Sequence, residues 1–282
     1  MKRIGLIDYY LDEWHAHHAF ETVKACNEKN GSDFAITAVW AETDKQGGMS
    51  TDEYCAKHGV EKCASIAELG EKVDYLMILS PDNSEKKLGY AKQAFKVCKR
   101  VFLDKTFAED FESAAEIHKA AEASNAQYFS SSALRYATEI APYNGTAKSV
   151  FVFGSGASLV DYAVHYLEII IKMMGIGIDK VRHEQRGNQE WAEIVYASGK
   201  KATFAISIGA SYLDFSVFVA DDKNDSAFLP ITSDFFGAQM ADVLRFFETG
   251  KTSFNGLETL ELMKARDGIM KSKAENGAWI TL

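Results

Sequence analysis

Residues 3–28, RIGLIDYYLDEWHAHHAFETVKACNE, place a short apolar run directly before a segment with helical periodicity. The run from Arg3 to Ile7 predicts a β-strand, and the segment from Trp14 to Glu28 predicts an α-helix. Only residues 8–13 join the two. A strand followed this closely by a helix is typical of the first half of a βαβ unit, from which parallel sheets are built.

The same alternation continues through the first half of the chain. Helical stretches and further strand-like runs occur at 84–97, 111–123, 34–40, 75–79, 101–103 and 127–129. Short strands joined by crossover helices predict an α/β fold with a doubly wound parallel sheet. Ligands of such sheets bind beyond the carboxyl ends of the strands, so we expect Asp8, Ala41, Ser80 and Asp104 to line one crevice.

The second half has a different pattern, typical of an α+β domain. One helix is predicted from Ser158 to Met174, before a mainly antiparallel sheet and two closing helices, at 190–197, 201–208, 215–220, 235–248 and 257–272. Ser198-Gly199-Lys200 predicts a tight hairpin, and residues 221–224 predict a solvated turn. We therefore predict two domains, 1–127 and 128–282, with a tight hinge near residues 127–132.

The composition narrows the possible partners. A formal net charge of -9 repels the phosphate backbone of nucleic acids and anionic membrane surfaces, so we expect neither as a partner. The four cysteines form no Cys-x-x-Cys pair, which favours reduced, packed thiols and a cytoplasmic location. The first apolar run is interrupted at Asp8, too early for the core of a signal peptide.

Three polar residues suggest acid–base chemistry. Lys105 follows the strand-like run 101–103, and Asp161 and His165 lie four residues apart, on one face of the predicted helix. An ammonium, a carboxylate and an imidazole can move a proton on or off an alcohol while a cofactor takes the hydride. An exposed strand-end lysine and an ordinary helical Asp–His pair are the alternatives. The stretch 154–156, Gly-Ser-Gly, would let the backbone approach a ligand closely.

Three histidines, His15, His17 and His18, follow Trp14. They lack a carboxylate or cysteine at a convincing spacing for a metal site, so we expect no metal. At the start of a helix they are better suited to donate hydrogen bonds to a ligand.

At three places the chain resembles the glucose-fructose oxidoreductase/inositol dehydrogenase/MocA (Gfo/Idh/MocA) family of NAD(P)-dependent oxidoreductases. Residues 73–83, VDYLMILSPDN, resemble the family's Val-Asp-x-x-x-Ile-x-x-Pro-Asn stretch. Asp104-Lys105-Thr106 is similar to its Glu-Lys-Pro signature, and residues 161–165, DYAVH, to its Asp-x-x-x-His helix. The segment 256–272 is also similar to the family's closing helix, so the resemblance covers nearly the whole chain.

The resemblance implies a Rossmann-type cofactor domain and a second domain with an open-faced sheet, through which a homo-oligomer (dimer or tetramer) often assembles. It implies that Lys105 orients or protonates the reacting oxygen, that His165 exchanges the proton, and that Asp161 orients the substrate. The substrate would be a hydroxylated small molecule such as a sugar or polyol. The residues implied to hold NAD or NADP are Ile7, Asp8, Tyr9, Trp14, His15, Glu42, Ser80, Pro81, Asp82, Asp104 and Lys105.

The chain departs from the family pattern at the first turn. Asp8, Tyr10 and Glu13 stand where the family has the glycines of Gly-x-Gly-x-x-Gly, and carboxylates are electrostatically unfavourable beside a pyrophosphate. Thr106 replaces the family's proline, and Ala41 stands where an acidic ribose ligand is usual, although Glu42 follows it. Three hypotheses result: an oxidoreductase that holds its dinucleotide in an altered mode, a non-catalytic ligand-binding or regulatory protein of the same fold, and an enzyme with lyase or hydrolase action through transient oxidation, which some family members perform.

Overall fold

The computed structural model describes residues 1–223 and 225–282. The chain forms two compact units: Met1–Ser131 with Gln239–Phe254, and Ser132–Ala238 with Asn255–Leu282. The predicted domains, 1–127 and 128–282, differ from these units in two respects. The first unit continues to Ser131, the end of a strand, and it also includes a segment from late in the chain.

The first unit contains a six-stranded parallel sheet. Its strands are β1 (Lys2–Asp8), β2 (Phe34–Ala41), β3 (Glu61–Lys62), β4 (Tyr75–Ile78), β5 (Arg100–Asp104) and β6 (Gln127–Ser131). Their spatial order is β3-β2-β1-β4-β5-β6, so the order reverses between β1 and β4. The predicted doubly wound sheet is confirmed, and such a reversal is where ligands of open α/β sheets bind.

Five helices connect these strands: α1 (Trp14–Asn30), α2 (Thr51–His58), α3 (Ile66–Lys72), α4 (Lys87–Val97) and α5 (Phe111–Ala123). Helix α4 begins later than predicted because Ser84–Lys86 form a separate 3-10 turn. Helix α5 has the predicted bounds, and its N-cap residue Asp110 accepts a hydrogen bond from the amide of Ser113. The short helices α2 and α3 were not predicted.

The core of the first unit includes side chains from the segment Gln239–Phe254. Phe246 and Phe247 are fully buried there, and the Phe247 ring stacks on Tyr75 of β4 with 4.8 Å between ring centroids. The same cluster includes Ile4 and Leu6 of β1. The late segment therefore supplies part of the hydrophobic core under the parallel sheet.

The second unit is built around a seven-stranded sheet. Its strands are β7 (Ser149–Gly156), β8 (Ile178–Arg186), β9 (Gln189–Tyr196), β10 (Lys201–Ile208), β11 (Ser216–Ala220), β12 (Ser226–Pro230) and β13 (Ile280–Thr281). The order is β12-β11-β7-β10-β9-β8-β13, and every neighbouring pair among the described residues is antiparallel except β7 with β10. The predicted mainly antiparallel sheet is confirmed.

Three helices follow in this half of the chain: α6 (Leu159–Met174), α7 (Phe235–Thr249) and α8 (Gly256–Ala274). Two 3-10 segments, Ala133–Tyr136 and Thr138–Tyr143, precede β7. Helix α7 begins in the second unit, and from Gln239 onward it belongs to the first. No helix in residues 1–223 and 225–282 combines the length and apolar composition needed to cross a bilayer.

The glycines before α6 have a packing role that differs from the expected approach to a ligand. Gly154 and Gly156 lie within β7. A Cβ at Gly154 would lie 2.9 Å from the Tyr166 hydroxyl, and one at Gly156 would lie 2.6 Å from the Tyr162 ring. The lack of a side chain at these two positions therefore makes room for two tyrosines of α6.

The predicted hairpin and turn can both be located. Gly199 has a φ of 84°, and the amide of Tyr196 donates a hydrogen bond to the carbonyl of Lys200, as expected for a tight connection between β9 and β10. In the turn predicted at 221–224, Asp221 accepts hydrogen bonds from the amides of Lys223 and Asp225. Asn224 lies outside the described residues.

Candidate functional site

The candidate site of the first unit lies at the carboxyl ends of its central strands. β1 ends at Asp8, β5 ends at Asp104, and Ser80 follows β4. Parallel strands end at one edge of a sheet, and Asp8 and Ser80 are in direct contact there. The N-terminus of α1 follows β1 after the turn 9–13.

Asp8 is held in place by three hydrogen bonds to one of its oxygens. Its Oδ1 accepts from the Tyr9 amide at 2.7 Å, the Ser80 amide at 3.1 Å and the Ser80 hydroxyl at 3.0 Å. Its Oδ2 is buried and has no hydrogen-bond partner in the described part of the chain. Burial raises the pKa of Asp8 to about 7, although the bonds from Ser80 and Tyr9 act in the opposite direction.

Glu13 caps helix α1 with its own side chain. The carboxylate accepts hydrogen bonds from the amides of His15, at 2.7 Å, and of Ala16. Glu13 is only 8% exposed, and burial together with repulsion from Asp8 raises the pKa of its carboxyl to about 8. In dinucleotide-binding sheets, the amides at this helix N-terminus hold the pyrophosphate. Here Glu13 occupies two of them.

His15 and Asp104 form an ion pair. His15 Nδ1 lies 2.7 Å from Asp104 Oδ2. Burial opposes charge on both groups, but their mutual attraction outweighs it: the pKa of Asp104 falls to about 2 and the pKa of His15 is raised. The interaction therefore favours the charged forms of both groups, and the pair connects the first turn of α1 to the end of β5.

Lys87, the first residue of α4, also belongs to this site, although it was not predicted from the sequence. It is fully buried, and its Nζ donates hydrogen bonds to the carbonyls of Asp104, at 2.5 Å, and of Lys105, at 3.0 Å. Burial lowers the pKa of Lys87 to about 7 against the attraction of Asp104. A signal was present in the sequence, because Lys87 shares the buried helical face of Tyr90, Ala91, Ala94 and Phe95.

Lys105 stands directly after β5, as predicted, and is partly buried. Its carbonyl is fixed by Lys87, and the peptide bond between Lys105 and Thr106 is cis. Within residues 1–223 and 225–282, the Lys105 ammonium has no hydrogen-bond or ion-pair partner. This leaves all three of its N–H donors available to a ligand.

The other residues predicted to hold a cofactor are placed less favourably. Glu42 is engaged by Lys86 Nζ at 2.5 Å and by the Tyr90 hydroxyl at 2.6 Å. Lys86 also lies over the Tyr9 ring, 4.9 Å from its centroid. Ile7 is fully buried in the sheet, so only its backbone could reach a ligand.

Beyond these, Pro81 is buried and Asp82 is exposed. Trp14 is 53% exposed and stacks on His18, with 4.4 Å between ring centroids. His17 lies 3.0 Å from Asp12 and 2.9 Å from His58. The three histidines predicted to face a ligand together thus have three different surroundings, and only His15 joins the residues at the end of β5. No three His, Cys, Asp or Glu side chains gather as a metal site anywhere in the described residues.

The second unit contains the other predicted catalytic residues. His165 Nδ1 lies 2.6 Å from the Ser132 hydroxyl, a contact that the sequence reading missed. Asp161 is exposed, and its carboxylate accepts a hydrogen bond from Ser158, the N-cap residue of α6. One turn beyond His165, the buried Glu168 binds Arg135 and accepts a hydrogen bond from the Ser132 amide. His165 is therefore oriented by a buried polar network, while Asp161 lies at the helix cap.

No protein-family model and no curated protein sequence matches the chain. Solved structures match it over nearly its full length. A probable dehydrogenase from Thermotoga maritima has a TM-score of 0.81 at 13% identity, covering 99% of this chain and 98% of that one. Myo-inositol dehydrogenase from Lactobacillus casei, crystallised with NAD(H) and myo-inositol, has a TM-score of 0.81 at 10% identity, covering 100% and 96%.

A third similar structure is UDP-N-acetylglucosamine 3-dehydrogenase from Acidithiobacillus ferrooxidans, with a TM-score of 0.75 at 13% identity, covering 96% of each chain. At such identities a shared structure establishes the fold and leaves the chemistry to the site residues. The chain has the fold of these dehydrogenases, with a parallel dinucleotide-binding-type sheet in one unit and a mainly antiparallel sheet in the other.

Proposed function

We propose that this protein is an NAD(P)-dependent oxidoreductase of the Gfo/Idh/MocA type that acts on a hydroxylated small molecule of the sugar or polyol class. The observation that carries the proposal is Lys105: its ammonium lies at the carboxyl end of β5 without a hydrogen-bond partner among the described residues, in a fold shared with dehydrogenases of inositol and of a nucleotide sugar. A strand end at this edge is where such sheets bind ligands.

The chain's own groups can handle the proton of an alcohol. The Lys105 ammonium would hydrogen-bond the reacting oxygen, and Lys87 fixes the backbone on which Lys105 stands. His165, oriented by Ser132, would exchange the proton, since an imidazole suits acid–base work near neutral pH. Asp161 would orient the substrate. A nicotinamide cofactor would supply the hydride acceptor or donor.

The first turn does not fit a pyrophosphate in the usual position, because Glu13 already binds the amides of His15 and Ala16. Glu42, the acidic residue at the end of β2, is likewise engaged by Lys86. We therefore propose an altered mode of dinucleotide binding, in which the pyrophosphate lies away from these amides or Glu13 moves aside.

The test is a thermal-shift titration with NAD+, NADH, NADP+ and NADPH, followed by turnover assays on sugars and polyols. At a hundred times the dissociation constant, binding to the native state adds about 2.7 kcal/mol of stability. Lys105→Ala and His165→Ala should abolish turnover while the melting temperature stays near that of the wild type. Lys96→Ala, which removes an exposed lysine of α4, is the matched control. Undiminished rates in the Lys105 variant would contradict the proposal.

A second candidate function is favoured by the Glu13 cap itself: a non-catalytic ligand-binding or regulatory protein of the same fold that has lost its dinucleotide site. In this candidate, the Glu13 carboxyl takes the place of the pyrophosphate at the N-terminus of α1, so that no dinucleotide binds there. Absence of any thermal shift with all four dinucleotides would favour this candidate, and turnover coupled to a nicotinamide spectral change would exclude it.

We also propose that the protein is a homo-oligomer, a dimer or tetramer, assembled through the sheet of the second unit. Phe218 and Phe228 are 50% and 53% exposed on neighbouring strands, and Phe151 stacks on Trp191 in the same sheet. Exposed aromatic side chains of this kind are typical of protein interfaces. Light scattering after size exclusion tests the proposal, and a monomer at micromolar concentration would contradict it.

A further inference from the structure

The N-terminus of α1 is already occupied by a carboxyl group from the chain itself, that of Glu13. Helix α1 has 17 residues, so its first amides carry the positive end of a full helix dipole. Glu13 closes back onto two of these amides, those of His15 and Ala16, and its side chain is almost completely buried. Two of the donors that a phosphate would use are therefore already occupied.

A second observation is that the electrostatic surroundings of the Glu13 carboxyl are unfavourable. Asp8 Oδ2 is buried without a hydrogen-bond partner in the described part of the chain, and the Asp8 and Glu13 carboxyls repel each other. An unpaired oxygen of this kind is costly to bury, by about 1–3 kcal/mol. Displacing Glu13 into solvent would relieve the repulsion and at the same time free the two amides.

Among the described residues, no other titratable group near Glu13 forms an ion pair with it. The groups that interact with it electrostatically are Tyr10 in the turn, His15 on α1, Tyr54 on α2 and Lys87 on α4. Of these, His15 is paired with Asp104, and Lys87 bonds to the carbonyls of Asp104 and Lys105. The specific contacts of the Glu13 carboxylate are thus the two amide bonds.

We propose that Glu13 is a displaceable internal carboxyl group that competes with the dinucleotide pyrophosphate for the amides of His15 and Ala16, and so sets the cofactor affinity of the site. This rests on the proposed function, since it deepens the mode in which the dinucleotide binds. Glu13 acts as a specificity-determining residue: a ligand that places a pyrophosphate here must first expel the carboxylate, whereas a ligand without phosphate need not.

The experiment compares NAD+ and ADP binding by calorimetry in the wild type, Glu13→Ser and Glu13→Ala. Serine keeps a short capping oxygen for α1 but removes the carboxylate, which protects against a loss of folding in the alanine variant. Glu21→Ser is the matched control, because it makes the same substitution at an exposed position of the same helix. A melting curve for each variant checks that it is folded.

We expect both Glu13 variants to bind NAD+ and ADP at least tenfold more tightly than the wild type and than Glu21→Ser. Wild-type binding that the Glu13 variants do not improve would overturn the proposal and leave the oxidoreductase function standing. Binding by the Glu13 variants alone would support the proposal while contradicting the oxidoreductase function of the native chain. Folded Glu13 variants that bind neither probe would overturn the proposal.

Discussion

Asp8 shows how far a single residue can be interpreted from sequence. Its position at the end of the first strand follows from the apolar run before it, and so does its place at the ligand edge of the sheet. The pattern does not reveal that Oδ1 would take three hydrogen bonds and Oδ2 none. That asymmetry depends on Ser80, 72 positions away, which adopts a φ of 43° to aim its amide at Asp8.

We predict that Asp8→Asn removes a pH-dependent loss of stability. Folded Asp8 keeps its proton up to about pH 7, whereas an unfolded aspartate releases it near about pH 4. Between these values the folded chain binds more protons, so the free energy of unfolding falls as the pH rises. The neutral amide lacks this dependence. Each unit of pKa difference corresponds to about 1.4 kcal/mol. As the pH rises between these two values, the free energy of unfolding of the variant should therefore increase relative to that of the wild type.

Urea unfolding of both proteins at pH 4, 5, 6, 7 and 8 measures the effect. Asp179→Asn, at an exposed position of β8, is the control and should follow the wild-type curve. If the Asp8→Asn and wild-type curves run parallel over the whole range, Asp8 does not carry a raised pKa.

At the scale of elements, strands and helices with strong local signals were predictable and those that depend on distant partners were not. Lys201–Ile208 and Phe111–Ala123 have the predicted bounds because their periodicity is regular. Strand β8 contains many charged residues, and its pairing with β9 and β13 defines it. Strand β7 was not predicted, and its two glycines, which were expected to let the backbone approach a ligand, make room for side chains of α6.

Helix α7 was predicted as a helix, but its packing partner was not evident from the sequence. We expect Phe246→Ala to lower the free energy of unfolding by about 3–5 kcal/mol, since it removes a fully buried ring from the core of the first unit. Phe235→Ala, at the partly exposed start of the same helix, should lower it clearly less. Chemical denaturation of both variants compares them, and equal losses would contradict the assignment of Gln239–Phe254 to this core.

At the scale of the whole molecule, the discontinuous first unit decides which fragments can fold. A fragment of residues 1–131 has the complete parallel sheet but lacks Met240, Val243, Leu244, Phe246 and Phe247 of its own core cluster. The fragment therefore lacks several large side chains, each of which contributes about 1.5–3 kcal/mol when buried. The total stability of a domain is only about 5–15 kcal/mol. We therefore expect the fragment to lack a cooperative unfolding transition.

Joining residues 239–254 to this fragment should restore folding. The Gln239 side chain donates a hydrogen bond to the carbonyl of Ser131 at 2.8 Å, so a short Gly/Ser linker can connect the two ends without straining the sheet. Circular dichroism during urea unfolding of 1–131, with and without the added segment, measures the difference. A control in which Phe246 and Phe247 of the added segment are both replaced by Ser should behave like the bare fragment. A cooperative transition in residues 1–131 alone would instead show that the parallel sheet is an independent domain, with the boundary that the sequence pattern first indicated.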